Sequence, residues 1–182
     1  KEQELEDLID NVITKVISRN HKKRPLTYTD SFKSLESERL KIILNEWLQQ
    51  EKLRSPFNVV SCEQKRIVNI EGLKINTRID RVDELPDGHF VIVDYKTGQA
   101  SINGWLGERM DEPQLPLYAI TSDQDITAIT CARIKKGEMA YIGLSEAADV
   151  FPKTKAWKES RFAADIDSWE ALLSFWRESI LA

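Results

Sequence analysis

Cysteine is scarce in this chain, with Cys62 and Cys131 the only two in 182 residues. Two thiols cannot supply a four-thiolate zinc or iron–sulfur site. Such sparing use suits a reducing compartment, with the cytoplasm as the default expectation. Glycine and proline number only 7 and 6, which excludes collagen and low-complexity disorder. No apolar run approaches the ~20 residues that span a bilayer. The N-terminal Lys1-Glu2-Gln3-Glu4 has no signal-peptide pattern, so neither a membrane protein nor a secreted one is expected. An initiator Met is also missing, which points to an excerpt of a longer protein or a processed chain. Charge of one sign is lacking too: 26 Lys and Arg against 30 Asp and Glu leave a net charge of −4, and bulk charge does not mark a polyanion binder.

What is present is a core. Hydrophobic residues make up 41% of the chain, and a chain this long removes roughly 70% of its unfolded surface from water. One domain over residues 1–182 is expected, with a helical part over about 1–54 and a sheet-bearing part over about 57–182. Local charge carries more than the total. Arg19 to Arg24, Arg133-Ile-Lys-Lys136, and Lys153, Lys155, Lys158 and Arg161 form three basic clusters able to track phosphates, although each alone is also what a solvated surface looks like. There is no internal repeat and no GxxxxGK[ST] phosphate loop.

Leu5, Leu8, Ile9, Val12, Ile13, Val16 and Ile17 recur at steps of three and four, the apolar stripe of an amphipathic helix ending near the first basic cluster. Leu40, Ile43, Leu44, Trp47 and Leu48 mark a second helix over about Ser34 to Leu53. The period then changes. From Phe57 to Lys96 the chain is rich in Val and Ile and punctuated by Glu71-Gly72 and Pro86-Asp87-Gly88, which predicts three antiparallel strands. A polar loop with Gly104 and Gly107 leads to a short helix over about Glu112 to Ile120, whose prolines are tolerable only in the first turn. Ile126–Arg133 and Met139–Leu144 predict a second hairpin. Asp167 with Glu170 reads as a capping box opening a last helix with the stripe Trp169, Leu172, Leu173 and Trp176. Helices flanking a partly antiparallel sheet make an α/β fold with an α+β-like mixed sheet.

The chemistry concentrates between Glu63 and Lys96. Pro86-Asp87-Gly88 suits a three-residue hairpin loop, in which Pro presets the first position and Gly supplies the left-handed third. With Leu85 and His89 as the last pair, opposed residue numbers sum to 174 and Asp80 falls across from Asp94. Side chains so opposed stand about 5 Å apart at Cβ, where two carboxylates repel unless a proton or a cation lies between them. Both acids interrupt strands of buried character, and burying unpaired charge is costly, so a divalent cation is the economical explanation. A two-residue turn at Glu71-Gly72 gives pairs summing to 143 and brings Glu63 opposite Asp80, a row of three acids, unless a bulge shifts it by one. Lys96 lies two residues past Asp94 on the same face, and Tyr95 points the other way. Metal binding would neutralise the acids and lower the Lys96 pKa, leaving it to orient water, stabilise phosphoryl charge or act as a base. Oxygen ligands without clustered His or Cys favour Mg²⁺ or Mn²⁺ over zinc.

The run Arg78-Ile79-Asp80-Arg81-Val82-Asp83, then Val91-Ile92-Val93-Asp94-Tyr95-Lys96-Thr97-Gly98, then Gln114-Leu-Pro-Leu-Tyr118 resembles the RecB-like branch of the PD-(D/E)XK nuclease superfamily. The resemblance covers about Glu63 to Tyr118 and implies a restriction-endonuclease-like core that hydrolyses DNA phosphodiesters with Mg²⁺, usually fused or bound to a helicase that feeds single strands to it. It implies that Asp80 and Asp94 ligate the metal with the Tyr95 backbone carbonyl, that Glu63 is the family's first acid and that Lys96 is the catalytic lysine. Gln114 and Tyr118 match the pair beside the site, and their i, i+4 spacing puts both on one helix face.

The expected activity is a Mg²⁺-dependent deoxyribonuclease, an exonuclease module of helicase-coupled repair or recombination; the alternative is a catalytically silent nuclease-like DNA-binding or scaffold module. Trp105, in the loop after the motif, is the candidate for stacking on bases. Trp47, Trp169 and Trp176 lie on helix stripes and read as core. Many members carry a further metal-binding His in an upstream Gly-x-x-x-His, which His21 does not match, and the four-cysteine cluster of Cas4-like and AddB-like relatives is missing. His89 sits at the hairpin turn, far from the acids.

Overall fold

A computed structural model describes residues 2–70, 72–107, 110–154, 156–160 and 163–181. The chain divides into two compact units, Lys1–Lys52 with Lys135–Gly137, and Leu53–Ile134 with Glu138–Ala182.

The first unit holds α1 (Glu2–Lys23) and α2 (Asp30–Glu51). Ile9, Ile13 and Ile17, one residue per helical turn, are buried against Leu5, Tyr28, Leu40, Leu44 and Leu48. The buried column is narrower than the predicted stripe: Leu8, Val12 and Val16 stay 59%, 45% and 44% exposed. The second helix starts four residues before the predicted Ser34. Thr29 caps it, its side-chain oxygen accepting the Phe32 N–H at 3.4 Å, a polar signal lying ahead of the apolar periodicity that begins at Leu40.

The second unit is built on a five-stranded sheet, β1 (Asn58–Ile70), β2 (Leu73–Glu84), β3 (Phe90–Lys96), β4 (Ile126–Arg133) and β5 (Ala140–Ser145), in the order β1-β2-β3-β4-β5. Neighbours are antiparallel except β3 and β4, which run parallel. A parallel pair requires a long crossover, and that crossover carries α3 (Gln114–Ile120). The result is a mixed sheet flanked by helices, the predicted α/β architecture. β4 is buried from Ile126 to Ala132, as a strand covered on both faces must be. Trp105, Leu115, Tyr118, Trp157, Leu172 and Trp176 join Val82, Ile92 and Ile129 in the main core.

The last helix, α4 (Trp169–Leu181), corrects the predicted capping box. Ser168 is the cap: its side-chain oxygen accepts the Ala171 N–H at 3.1 Å. That shifts the helix start one residue past Asp167 and takes Glu170 out of the position from which a capping box closes. Indole N–H groups tie the core together, Trp169 to the Ile126 carbonyl and Trp176 to the Trp105 carbonyl, both at 2.8 Å.

Two turns set the register. At Pro86-Asp87-Gly88 the Leu85 N–H meets the His89 carbonyl at 2.8 Å and Gly88 takes φ 87°, so Arg81 pairs with Val93 and Val82 with Ile92, as the loop chemistry predicts. Ile70 pairs with Leu73, with Gly72 at φ 91° donating its N–H to Asn69 Oδ1; Glu71 lies outside the described residues. The β2–β3 ladder spans Arg81–Glu84 and Phe90–Val93. Residues 73–79 of β2 pair only with β1 among the described residues, and a two-stranded arm runs on past the sheet. Among the described residues no helix is long and apolar enough to cross a membrane.

Candidate active site

The place where β2 and β3 part company is the place where Asp80 and Asp94 stand. Both line a pocket of about 660 Å³, together with Lys96, Glu112, Gln114 and Tyr118. Asp94 is 3% exposed. Lys96 Nζ lies 2.9 Å from its Oδ2, and that buried oxygen has no further partner among the described residues. Asp80 is half-buried, and its Oδ2 accepts the Tyr95 N–H at 3.0 Å. In a parallel ladder alternate residues turn their peptide groups to the same neighbour. The Lys96 carbonyl faces β4, where it accepts the Ile134 N–H at 2.7 Å; the Tyr95 N–H is turned to the Asp80 side.

Electrostatics follow from this crowding. Burial pushes the Asp94 carboxyl above its ordinary value; Lys96 pulls it back down, and the charges of Asp80 and Glu112 push it up again. Asp94 in turn raises the Lys96 pKa, chiefly through their contact, and the ammonium stays protonated. Cys131, the ladder neighbour of Asp94, is pushed up to about 12 by its burial and takes no part as a thiolate.

Gln114 and Tyr118 have a physical task in this geometry. Where β3 leaves β2, the β2 edge would lose its hydrogen-bonding partner, and a buried unpaired peptide group is costly. The Tyr118 hydroxyl donates to the Arg78 carbonyl at 2.9 Å and accepts the Arg78 N–H at 3.4 Å. Gln114 Nε2 donates to that hydroxyl at 3.1 Å, while its Oε1 receives Lys96 Nζ at 3.4 Å. One turn of α3 thus links the β2 edge, two residues from Asp80, to the lysine beside Asp94.

Two candidate residues, Glu63 and Trp105, sit differently from what the sequence predicts. Glu63 does not complete the acid row. It sits between the pairs Cys62–Arg81 and Gln64–Ile79 with φ 52°, a left-handed kink, and its exposed carboxylate meets Arg78 Nε at 3.0 Å outside the residues lining the acid pocket. Trp105 lines the acid pocket but offers it almost no surface. It is 1% exposed, packed in the main core beneath the pocket, because its short 3₁₀ turn folds inward onto α4. Of the basic clusters, Lys155 and Arg161 lie outside the described residues, Lys153 and Lys158 are exposed, and no described cluster member lines the acid pocket.

Two features went unread in the sequence. Glu112 reaches the pocket from the loop before α3, and no spacing signals that this loop returns to the sheet. On the opposite face of β2, Asp83 is fully buried and accepts from Arg54 Nη1 at 2.7 Å, Arg81 Nε at 2.6 Å and Arg81 Nη2 at 2.8 Å. Arg81 also reaches the Tyr95 hydroxyl at 2.9 Å, and both guanidiniums lie over the Phe57 ring. This network is structural. Only the alternation of β2, with Asp80 facing one way and Arg81 and Asp83 the other, could have hinted at it.

The donor set fits a hard divalent cation. Among the described residues no three His, Cys, Asp or Glu side chains are grouped to hold a metal, which rules against a closed zinc-type cage. Mg²⁺ is commonly held by one or two carboxylates, with water and substrate phosphate filling the other positions. Two carboxylates on one pocket, one of them buried with an oxygen that meets only the Lys96 ammonium among the described residues, match that demand.

The family model of the PD-(D/E)XK nuclease superfamily matches residues 1–180. A comparison with curated proteins finds no match. Among solved structures, the one described as "Crystal structure of SSO0001" is similar at 18% identity and a TM-score of 0.35, over 87% of this chain and 70% of that one.

Proposed function

Because the chain belongs to the PD-(D/E)XK nuclease superfamily, whose members generally use divalent metal ions, we propose that it is a Mg²⁺- or Mn²⁺-dependent deoxyribonuclease of the RecB-like branch. In this reading it hydrolyses phosphodiester bonds as an exonuclease and acts on single strands presented by a helicase during DNA repair or recombination. The observation that carries the reading is the convergence of Asp80 and Asp94 on one pocket with Lys96 Nζ 2.9 Å from Asp94. The Asp-x-Lys and Gln-x-x-x-Tyr patterns support the RecB-like branch.

Asp80 and Asp94 would hold the cation, and the Tyr95 carbonyl, on the strand between Asp94 and Lys96, would assist them. A bound divalent ion supplies charge neutralisation at the scissile phosphate and lowers the pKa of water. Lys96 keeps its proton while Asp94 is its counter-charge. With Asp94 engaged in this way, the Lys96 ammonium would be placed to meet the attacking water or the phosphoryl oxygens as charge develops there. Gln114 keeps that ammonium in place, and Tyr118 fixes the β2 edge that presents Asp80. Both are positioning residues. Glu63, engaged by Arg78, has no part in this mechanism.

The test is cleavage of end-labelled single-stranded DNA in Mn²⁺ by the parent, Asp94→Ala and Lys96→Ala. Cleavage by the parent that both substitutions abolish is expected. Equal cleavage by all three would mark contamination and end the proposal, and DNA binding without cleavage by the parent would mark a silent module.

A further inference from the structure

The β1–β2 arm beyond the sheet has two unlike faces. Along β1 exposure alternates: Glu63, Lys65, Ile67 and Asn69 are exposed, whereas Gln64, Arg66, Val68 and Ile70 are buried or half-buried. Cross-strand pairing joins Lys65 to Arg78, Ile67 to Asn76 and Asn69 to Lys74, and paired residues share a face. The outer face therefore carries Lys65, Lys74 and Arg78, two amides, and Ile67 at 69% exposure. Lys65 directly opposite Arg78 is a like-charge pair, which destabilises an antiparallel ladder. Glu63 relieves only Arg78. A chain with net charge −4 has gathered positive charge where folding alone disfavours it.

This face leads to the acids. Arg78 and Asn76 line the acid pocket together with Asp80 and Asp94, and they also line the adjoining depression that Lys65 and Ile67 help to form. Resting on the nuclease reading above, we infer that the outer face of the β1–β2 arm is the surface along which the sugar–phosphate backbone of a DNA strand reaches the acid pocket. Lys65, Lys74 and Arg78 take phosphates, and Asn69 and Asn76 donate amide hydrogen bonds to phosphate oxygens. Glu63 competes with phosphate for Arg78.

The experiment is fluorescence anisotropy of labelled oligothymidine with the full chain in EDTA, where cleavage cannot intervene, across a salt series. Each phosphate contact contributes about 0.7 to the slope of log affinity against log salt for a single strand. Lys65→Gln with Lys74→Gln is expected to flatten that slope by about 1.4 and to weaken binding roughly 20-fold at ~0.1 M salt. The pair relieves repulsion in the ladder, so both substitutions should leave folding intact, which circular dichroism checks. Glu63→Gln is expected to tighten binding. Lys22→Gln with Lys23→Gln, a charge-matched change on α1, is expected to leave the slope as it was.

An unchanged slope in the arm variant, an equal loss in the α1 variant, or no DNA binding by the parent overturns the inference. Failure of the nuclease reading is distinct: it shows as absent metal-dependent cleavage by the parent, whatever the arm substitutions do to binding.

Discussion

Asp80 and Asp83 lie three residues apart on one strand; the proposed nuclease mechanism gives Asp80 to chemistry, and the buried ion network gives Asp83 to stability. Asp83→Asn should therefore unfold the protein far more readily than Asp80→Asn. The Asp83 side chain is 0% exposed and receives three hydrogen bonds of 2.6–2.8 Å from two guanidiniums. Asparagine preserves its shape, but it removes the charge and turns an NH₂ group toward donors. Removing one partner of a buried ion pair costs about 3–5 kcal/mol, against a total stability of roughly 5–15 kcal/mol. With a urea slope of about 2 kcal/mol per M, the midpoint falls by about 2 M. Asp80→Asn keeps an acceptor for the Tyr95 N–H and relieves repulsion on Asp94, so without metal its stability should stay within about 0.5 kcal/mol of the parent's. Urea denaturation followed by tryptophan fluorescence measures both. Equal losses for the two variants, or a midpoint for Asp83→Asn indistinguishable from the parent's, would refute the division of labour across β2.

Tyr118→Phe keeps the buried ring but strips the Arg78 peptide of its partner, and it should cost about 1–3 kcal/mol and speed amide exchange at Arg78; unchanged protection there would show that the hydroxyl does not hold the edge. Cys62 is exposed and Cys131 buried with its thiol pushed up to about 12, so a disulfide reagent should titrate one thiol in the native protein and two in denaturant. Two fast-reacting thiols in the native state would contradict the packing of β4 against β3.

The register of the site was legible because local chemistry sets it. Pro86-Asp87-Gly88 admits few loop conformations, and counting from that loop gives the ladder as far as Arg81–Val93, one step short of Asp80 and Asp94, which line one pocket where the strands part. Gln114 and Tyr118 were legible as a shared helix face, but their task was not: it depends on β3 abandoning β2 at Asp80, a tertiary event with no local signature. The pairing sum of 143 holds on either side of Glu63, but a left-handed φ of 52° and the contact with Arg78 Nε at 3.0 Å depend on backbone and side-chain detail that counting residues does not supply. Trp105 was misread because glycines and polar residues around it resemble an exposed loop, whereas its burial comes from α4, more than sixty residues away in the chain. The Arg54–Asp83–Arg81 network escaped notice for the same reason, since Arg54 reaches Asp83 from a segment with no pattern of its own.

Binding of Mn²⁺ in the absence of DNA interrogates the acid pair itself, free of any question of substrate or partner. Calorimetry should give one site on the parent. With the ion at ten times its Kd, about 1.4 kcal/mol of added stability should raise the Tm by roughly 3–6 °C. Asp80→Asn and Asp94→Asn should each abolish both signals, while Glu63→Gln should retain them. Binding that survives either aspartate substitution undiminished, or a parent that takes up no ion at all, would contradict a cation held jointly by Asp80 and Asp94.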